Sequence, residues 1–292
     1  MIFNFGSINV DHVYRVAQMP SPGETVAAVS YQKLLGGKGI NQSIAIAKAG
    51  QVPVHVGAVG SDDDWTICEV KKFGIDTTHI ARSSQPTGHA VIYVDDAGEN
   101  QIVIFGGANQ DLHKVQIETA FKTSAGGDHW VLLQNETNLL TGIVDLAKAA
   151  GFRVAYGAAP FVADTVARLI GRIDLLAVNE IEARETAGLL GVAVSEIAVP
   201  EILITRGSKG AEFYSHGRVH YQPAFSVDAV DTTGAGDTFL GSFLAHYCHG
   251  APAEQSLRYA SAASALQVIR PGAAAAIPAR NEVEQFLNDR KT

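Results

Sequence analysis

Cysteine is almost missing from this chain: its 292 residues hold two, Cys68 and Cys248, far apart. A pair so separated makes neither a disulfide framework nor a zinc-ligand spacing, and reads as two buried free thiols in a reducing compartment. Positive charge is also scarce. Lys and Arg total 22 against 30 Asp and Glu, a formal net charge of −8. Such a chain gains nothing from the counterion release that drives DNA or RNA binding, so no nucleic-acid partner is expected. An anionic ligand would need a local pocket of backbone N–H groups or basic side chains, because the overall field opposes it. No apolar run reaches the roughly 18 residues of a membrane span. Met1 to Val10 lacks the basic segment and long apolar run of an export signal. A cytoplasmic protein without a membrane partner is therefore expected. No G-x-G-x-x-G follows the first apolar stretch, which sets aside a dinucleotide-dependent oxidoreductase.

Apolar residues make up 47% of the chain and charged residues 18%, enough to bury a large core. Ile2 to Phe5 reads as a short strand running into Gly6-Ser7. Segments 10–16 and 25–35 carry β-branched alternation around a turn at Pro20, Pro22 and Gly23, and 89–94 with 101–105 reads as a second hairpin. Gly36-Gly37-Lys38-Gly39 opens a helix over 40–49, followed by a strand at 54–59 and a helix at 62–73. From Trp130 the alternation becomes regular, with strands at 130–134, 152–156, 174–178 and 201–205 and helices at 138–150, 162–171 and 180–189. Strands alternating with helices imply a doubly wound α/β fold, a mostly parallel sheet covered on both faces. Such a sheet takes ligands beyond the carboxyl ends of its strands, where Glu136, Asn179 and Arg206 stand. Helices at 238–249, at 253 to about 269 and from Asn281 close the chain.

Five motifs carry chemistry. Asp231-Thr232-Thr233-Gly234-Ala235-Gly236-Asp237 precedes a helix. Its glycines let backbone N–H groups converge, and the helix end adds partial positive charge, which together make a pocket for an oxyanion. Asp237, in the first helical turn, is placed to accept the proton of an attacking hydroxyl, or simply to cap the helix. Gly36-Gly37-Lys38-Gly39-Ile40-Asn41 sets glycines before a second helix, where Asn41 can pair with hydroxyls. Asn9 and Asp11 point to one side of an extended segment and suit vicinal hydroxyls, or form an Asx turn. Asn179-Glu180-Ile181-Glu182 could hold the water shell of Mg2+, or cap a helix. Thr205-Arg206-Gly207-Ser208-Lys209-Gly210 could carry phosphates on its amides, or turn a hairpin.

The order of these motifs along one chain resembles the ribokinase family of carbohydrate kinases, the PfkB group, from Gly6-Ser7-Ile8-Asn9-Val10-Asp11 to about Ile269. The resemblance implies an ATP- and Mg2+-dependent kinase acting on the primary hydroxyl of a small sugar. It implies a ribokinase-like α/β domain spanning the chain, with a small β-sheet lid formed by about 10–35 and 86–106, through which the family commonly forms homodimers. By it, Asn9, Asp11, Gly37, Lys38, Asn41 and Glu136 match the sugar contacts. Asp237 matches the catalytic base, with Gly234, Ala235 and Gly236 as the anion hole. Asn179, Thr205, Gly207 and Gly210 match the nucleotide side. Glu182 matches a Mg2+ contact through water, and Asp231 and Thr233 match a monovalent-cation site, usually for K+. Ribose suits the sugar set best; fructose, a ketodeoxy sugar acid or a nucleoside are alternatives. A nucleoside would want an aromatic clamp, for which Tyr14, Tyr31 and Phe105 are candidates. A catalytically weak ligand sensor is the reading outside enzymes.

Three stretches depart from the family pattern. Tyr156-Gly157-Ala158-Ala159-Pro160 stands where an Asn-Pro-Ala-Pro-like stretch is usual, so the asparagine facing the nucleotide phosphates is missing. The segment between Glu182 and Thr205 is about a helix short. The tail 270–276 lacks the polar side chain that often completes the cation site.

Overall fold

The computed structural model of the chain describes residues 1–122 and 128–290. The elements run β1 (Ile2–Phe5), β2 (Asn9–Arg15), β3 (Ser30–Gly36), α1 (Lys38–Lys48), β4 (Val54–Gly60), α2 (Asp64–Lys72), β5 (Asp76–Ser83), β6 (Gly88–Val94), β7 (Asn100–Phe105) and α3 (Lys114–Lys122). They continue with β8 (Trp130–Gln134), α4 (Leu140–Ala149), β9 (Arg153–Gly157), α5 (Ala163–Leu169), β10 (Leu175–Asn179), α6 (Glu180–Leu190) and β11 (Glu201–Thr205). The last are β12 (Ala211–Ser215), β13 (Arg218–Gln222), α7 (Ala235–Tyr247), α8 (Ala253–Val268) and α9 (Arg280–Asn288).

Nine strands form one sheet in the order β13-β12-β11-β10-β9-β8-β1-β4-β5. It is parallel from β5 to β11, and β12 and β13 add an antiparallel edge. Its middle strands are apolar on both sides because both faces are covered. Alternate residues of β8 serve opposite layers. Trp130 and Leu132 pack with Phe243, Leu257 and Phe286 of α7, α8 and α9, whereas Val131 and Leu133 pack with Ile143, Val166 and Ala183 of α4, α5 and α6. The direction of winding reverses between β1 and β8, which pair in parallel with Phe5 beside Leu133. The residues just past their carboxyl ends, Gly6-Ser7 and Asn135-Glu136, therefore flank the crevice where open α/β sheets bind ligands.

The two hairpins expected outside the main sheet form a second sheet, ordered β3-β2-β6-β7. The strand expected from Thr25 begins at Ser30, because its partner β2 ends at Arg15, opposite Ser30. Strands β5, β12 and β13 and helix α3 were not read from the sequence.

Candidate active site

Helix α7 is capped by Gly234, whose φ of 75° is left-handed, and carries Asp237 in its first turn. The Asp237 carboxylate is buried and receives two side-chain amides from α1: Gln42 Nε2 at 2.8 Å and Asn41 Nδ2 at 3.3 Å. The two helices come this close because Gly241 has no side chain; a Cβ there would lie 2.5 Å from the Gln42 carbonyl oxygen. Burial raises the Asp237 carboxyl to about 6, while the Lys38 charge and the two amides oppose the rise and Glu136 adds to it. The group is thus ionised near neutral pH but basic enough to take a proton. Asn41 Oδ1 is buried without a partner, leaving an acceptor beside the carboxylate.

Behind Asp237 runs a chain of buried polar groups that the sequence reading missed. Gln134 Nε2 donates to Gln42 Oε1 at 2.7 Å and to Asn4 Oδ1 at 2.9 Å. Asn4 Nδ2 donates in turn to the Gly39 carbonyl and to Ser43 Oγ. Ser43 Oγ pairs with His55 Nδ1 at 2.8 Å, and His55 Nε2 meets the Gly6 carbonyl at 3.1 Å. A carbonyl accepts, so Nε2 carries the proton and Nδ1 accepts from Ser43. Burial holds His55 down to about 4, hence neutral. The network fixes the Gln42 amide orientation at Asp237. One signal was available: Asn41-Gln42-Ser43 is a polar triplet in an alanine- and isoleucine-rich helix, and Asn4 and Gln134 are polar breaks in apolar strands.

On the other side, Glu136 Oε2 accepts the Lys38 backbone N–H at 3.0 Å and the Ser7 hydroxyl. Asp11, on β2, sits against Gly36, where a Cβ would lie 2.1 Å from its Oδ2. Burial, helped by the Glu136 charge, lifts Asp11 to about 6. Asn9 Oδ1 accepts Asn109 Nδ2 at 2.7 Å, and Asn109 Oδ1 accepts the Ile8 N–H, so Asn109 fixes the entry to β2. Gly37, at φ 99°, caps α1 beside Ser7 and Asn9. The polar groups assigned to hydroxyl recognition are therefore gathered at the switch point.

A cavity of about 210 Å3 opens from Asp237 toward the carboxyl ends of β9, β10 and β11. Lys38, Gln42, Asn179, Glu182, Thr205, Thr232, Gly234, Ala235 and Gly236 line it. Asn179 and Glu182 form a reciprocal cap on α6: Asn179 Oδ1 accepts the Ile181 and Glu182 N–H groups, and Glu182 Oε2 accepts the Asn179 N–H. Burial raises the Glu182 carboxyl, against the Asn179 N–H and the Lys38 charge. The capping alternative at this motif is the one seen, and the same two residues line the cavity. Gly157 and Ala159 present no polar side chain to it. The 205–210 loop is the turn between antiparallel β11 and β12. Thr205 reaches the cavity, but Gly207 is exposed and Gly210 is buried against the Gln222 carbonyl, so neither lines it.

The expected monovalent-cation pair, Asp231 and Thr233, lies in the turn that leads into α7. Asp231 Oδ1 accepts the Thr233 N–H at 2.9 Å and Oδ2 accepts the Gly272 N–H at 2.8 Å. The Thr233 carbonyl accepts Gln267 Nε2 at 2.5 Å. Each of these oxygens accepts one N–H donor, which uses one of its lone pairs. The clamp candidates Tyr14, Tyr31 and Phe105 share the face of the small sheet that carries Val10 and His12, opposite Asn9 and Asp11. Tyr14 and Tyr31 pack together at 5.0 Å, and the Tyr31 hydroxyl bonds His12, so they do not converge on Asp11.

Comparison with known proteins agrees with this geometry. Residues 1–280 match the pfkB family of carbohydrate kinases. A ribokinase from Haemophilus influenzae is 36% identical, with 97% of this chain aligned to 96% of that protein. The ribokinase structure from Thermotoga maritima superposes with a TM-score of 0.84 at 34% identity over 98% of both chains. The structure of Arabidopsis thaliana ribokinase complexed with ribose and ATP gives 0.83 at 29% identity, over 98% of this chain and 97% of that one. The chain belongs to the pfkB family of carbohydrate kinases.

Proposed function

We propose that this family member transfers the γ-phosphoryl group of ATP to the primary hydroxyl of a small sugar, with ribose the acceptor its polar groups suit best. The observation carrying this reading is Asp237: a buried carboxylate raised to about 6, between the hydroxyl-binding cluster of Asn41, Lys38 and Glu136 and a cavity closed by the 234–236 turn. Asp237 would take the proton of the sugar hydroxyl. The N–H groups of the turn and the Lys38 charge would stabilise the group in transfer, so catalysis is mostly positioning and electrostatics.

The donor set suits Mg2+ held largely by water and phosphate: Glu182 lines the cavity, and the described residues hold no cluster of three metal-ligating side chains. Bound there, Mg2+ would neutralise phosphate charge. The related ribokinase carrying ribose and ATP supports ribose over the other sugars. The far-side position of Tyr14, Tyr31 and Phe105 disfavours a nucleoside.

The small sheet, with Asn9 and Asp11 at one end, would serve as the lid, excluding water as it closes. Its edge strand β7 is exposed throughout and displays Ile102, Val103, Ile104 and Phe105, which supports a homodimer through this sheet. Light scattering on a sizing column checks the dimer. Among the described residues no helix is long and apolar enough to cross a membrane, in keeping with work in the cytoplasm. ADP release with ATP and Mg2+ across a panel of sugars and nucleosides tests the activity, and ribose should stand above the others.

A further inference from the structure

The Gly106-Gly107-Ala108-Asn109 stretch follows the last strand of the small sheet and forms a short 3-10 turn over Gly107–Gln110. Gly107, at φ 47°, lets this turn press against the root of β6: a Cβ there would lie 2.2 Å from the Pro86 carbonyl oxygen, which accepts the Ala108 N–H at 2.9 Å. Asn109 is thereby buried beside the start of β2. Its amide can sit only one way round. A backbone N–H only donates, so the Asn109 atom 2.9 Å from Ile8 N is the oxygen. The other end, Nδ2, must then donate, so the Asn9 atom it meets at 2.7 Å is also an oxygen. Gly88 makes room for this bond, since a Cβ there would lie 2.1 Å from Asn109 Nδ2 and 2.5 Å from Asn9 Oδ1. Among the described residues none accepts from Asn9 Nδ2, and that atom is not sealed in, so its N–H groups are left for the crevice. Asp11 stands two residues further on, on the same face of β2.

We propose that Asn109 sets the polarity of sugar recognition: it holds the Asn9 amide with its N–H groups, not its carbonyl, toward the crevice, so that β2 offers the substrate one donor and one acceptor side by side. A hydroxyl lying between them accepts from Asn9 and gives its single proton to Asp11. With the amide reversed, the same hydroxyl would face two acceptors and could satisfy only one. Asn109 is a positioning residue: it acts on the sugar through Asn9.

The effect on sugar binding rests on the kinase reading; the orientation of the amide rests on the geometry alone. Asn109→Asp keeps the shape and still accepts the Ile8 N–H, but it offers Asn9 an oxygen in place of a donor, so the Asn9 amide should turn over. In ADP-release assays the ribose KM should rise by about tenfold or more, as for a polar group left unpaired, with kcat within about threefold and the ATP KM unchanged. Asn109→Ala frees the Asn9 amide instead of inverting it and should raise the ribose KM by about threefold, which keeps the test open if thermal melting shows Asn109→Asp to be unfolded. In an Asn9→Ala background either change at 109 should add less than about twofold, because the residue it acts through is gone. Losses that multiply in the double variants, or a fall in kcat with the ribose KM unmoved, would reduce Asn109 to packing and refute the assignment.

A second readout needs no turnover. In proton–nitrogen spectra of the enzyme without substrate, the Asn9 side-chain amide, identified by its loss in Asn9→Ala, should exchange quickly with water in the wild type and become protected in Asn109→Asp. An Asn9 amide already protected in the wild type would overturn the proposal even if no acceptor were phosphorylated. Quick exchange in the wild type without turnover of any sugar would instead uphold the orientation and count against the kinase reading.

Discussion

Replacing Asp237 with asparagine separates its chemical role from its cost to the fold. The substitution keeps the shape and removes the base, so kcat should fall by at least ~10², while sugar binding stays within a few-fold. Stability should move the other way at neutral pH. The folded-state carboxyl is raised by burial from 3.8 to about 6. Between those values the native state binds more protons than the unfolded chain, so its stability falls as pH rises from 4 to 6 and stays lowered above 6. A shift of that size amounts to about 3 kcal/mol. Asparagine avoids this penalty but offers one acceptor where two amides donate, returning about 1–2 kcal/mol. A net gain of about 1–2 kcal/mol is expected at pH 8, vanishing or reversing at pH 5, where Asp237 is itself protonated. Urea denaturation of both proteins at the two pH values, with steady-state kinetics, measures each part. A kcat within fivefold of wild type, or a stability difference equal at both pH values, would refute the reasoning.

Asp11 and Asp237 both ionise near 6, so kcat/KM should fall below that pH with a slope steeper than one, and Asp11→Asn should leave a limb of slope one. Gln42→Leu removes a donor that lowers the Asp237 pKa, so the acidic limb should move up in pH while kcat drops by about tenfold. Gly36→Ala would drive a Cβ into the Asp11 carboxylate; the sugar KM should rise by about tenfold or more with the ATP KM little changed. Kinetics in each substrate checks these.

The doubly wound sheet was legible because its buried strands are unbroken apolar runs at regular spacing, as in Trp130 to Leu133. Thr25 to Val29 misled because alternation marks a strand only where a partner exists, and β2 has ended by Arg15. Asp237, Lys38 and Asn41 were readable from glycine motifs that precede helices, and Glu136 from its place at a strand end. Gln42, Gln134 and Asn4 were not, because a buried amide network joins residues up to 130 positions apart and leaves only scattered polar letters in apolar segments. Gly207 and Gly210 show how one signal carries two readings, since a glycine turn after a strand serves a hairpin as readily as a phosphate.

The most direct test of the account is ADP release from purified, folded protein with ATP and Mg2+, with ribose set against deoxyribose, fructose, ketodeoxygluconate, adenosine, cytidine and inosine. The account predicts turnover with ribose far above the no-acceptor background and above every other acceptor, and its loss in Asp237→Asn. Background-level ADP release with all seven, or full activity in Asp237→Asn, would contradict it.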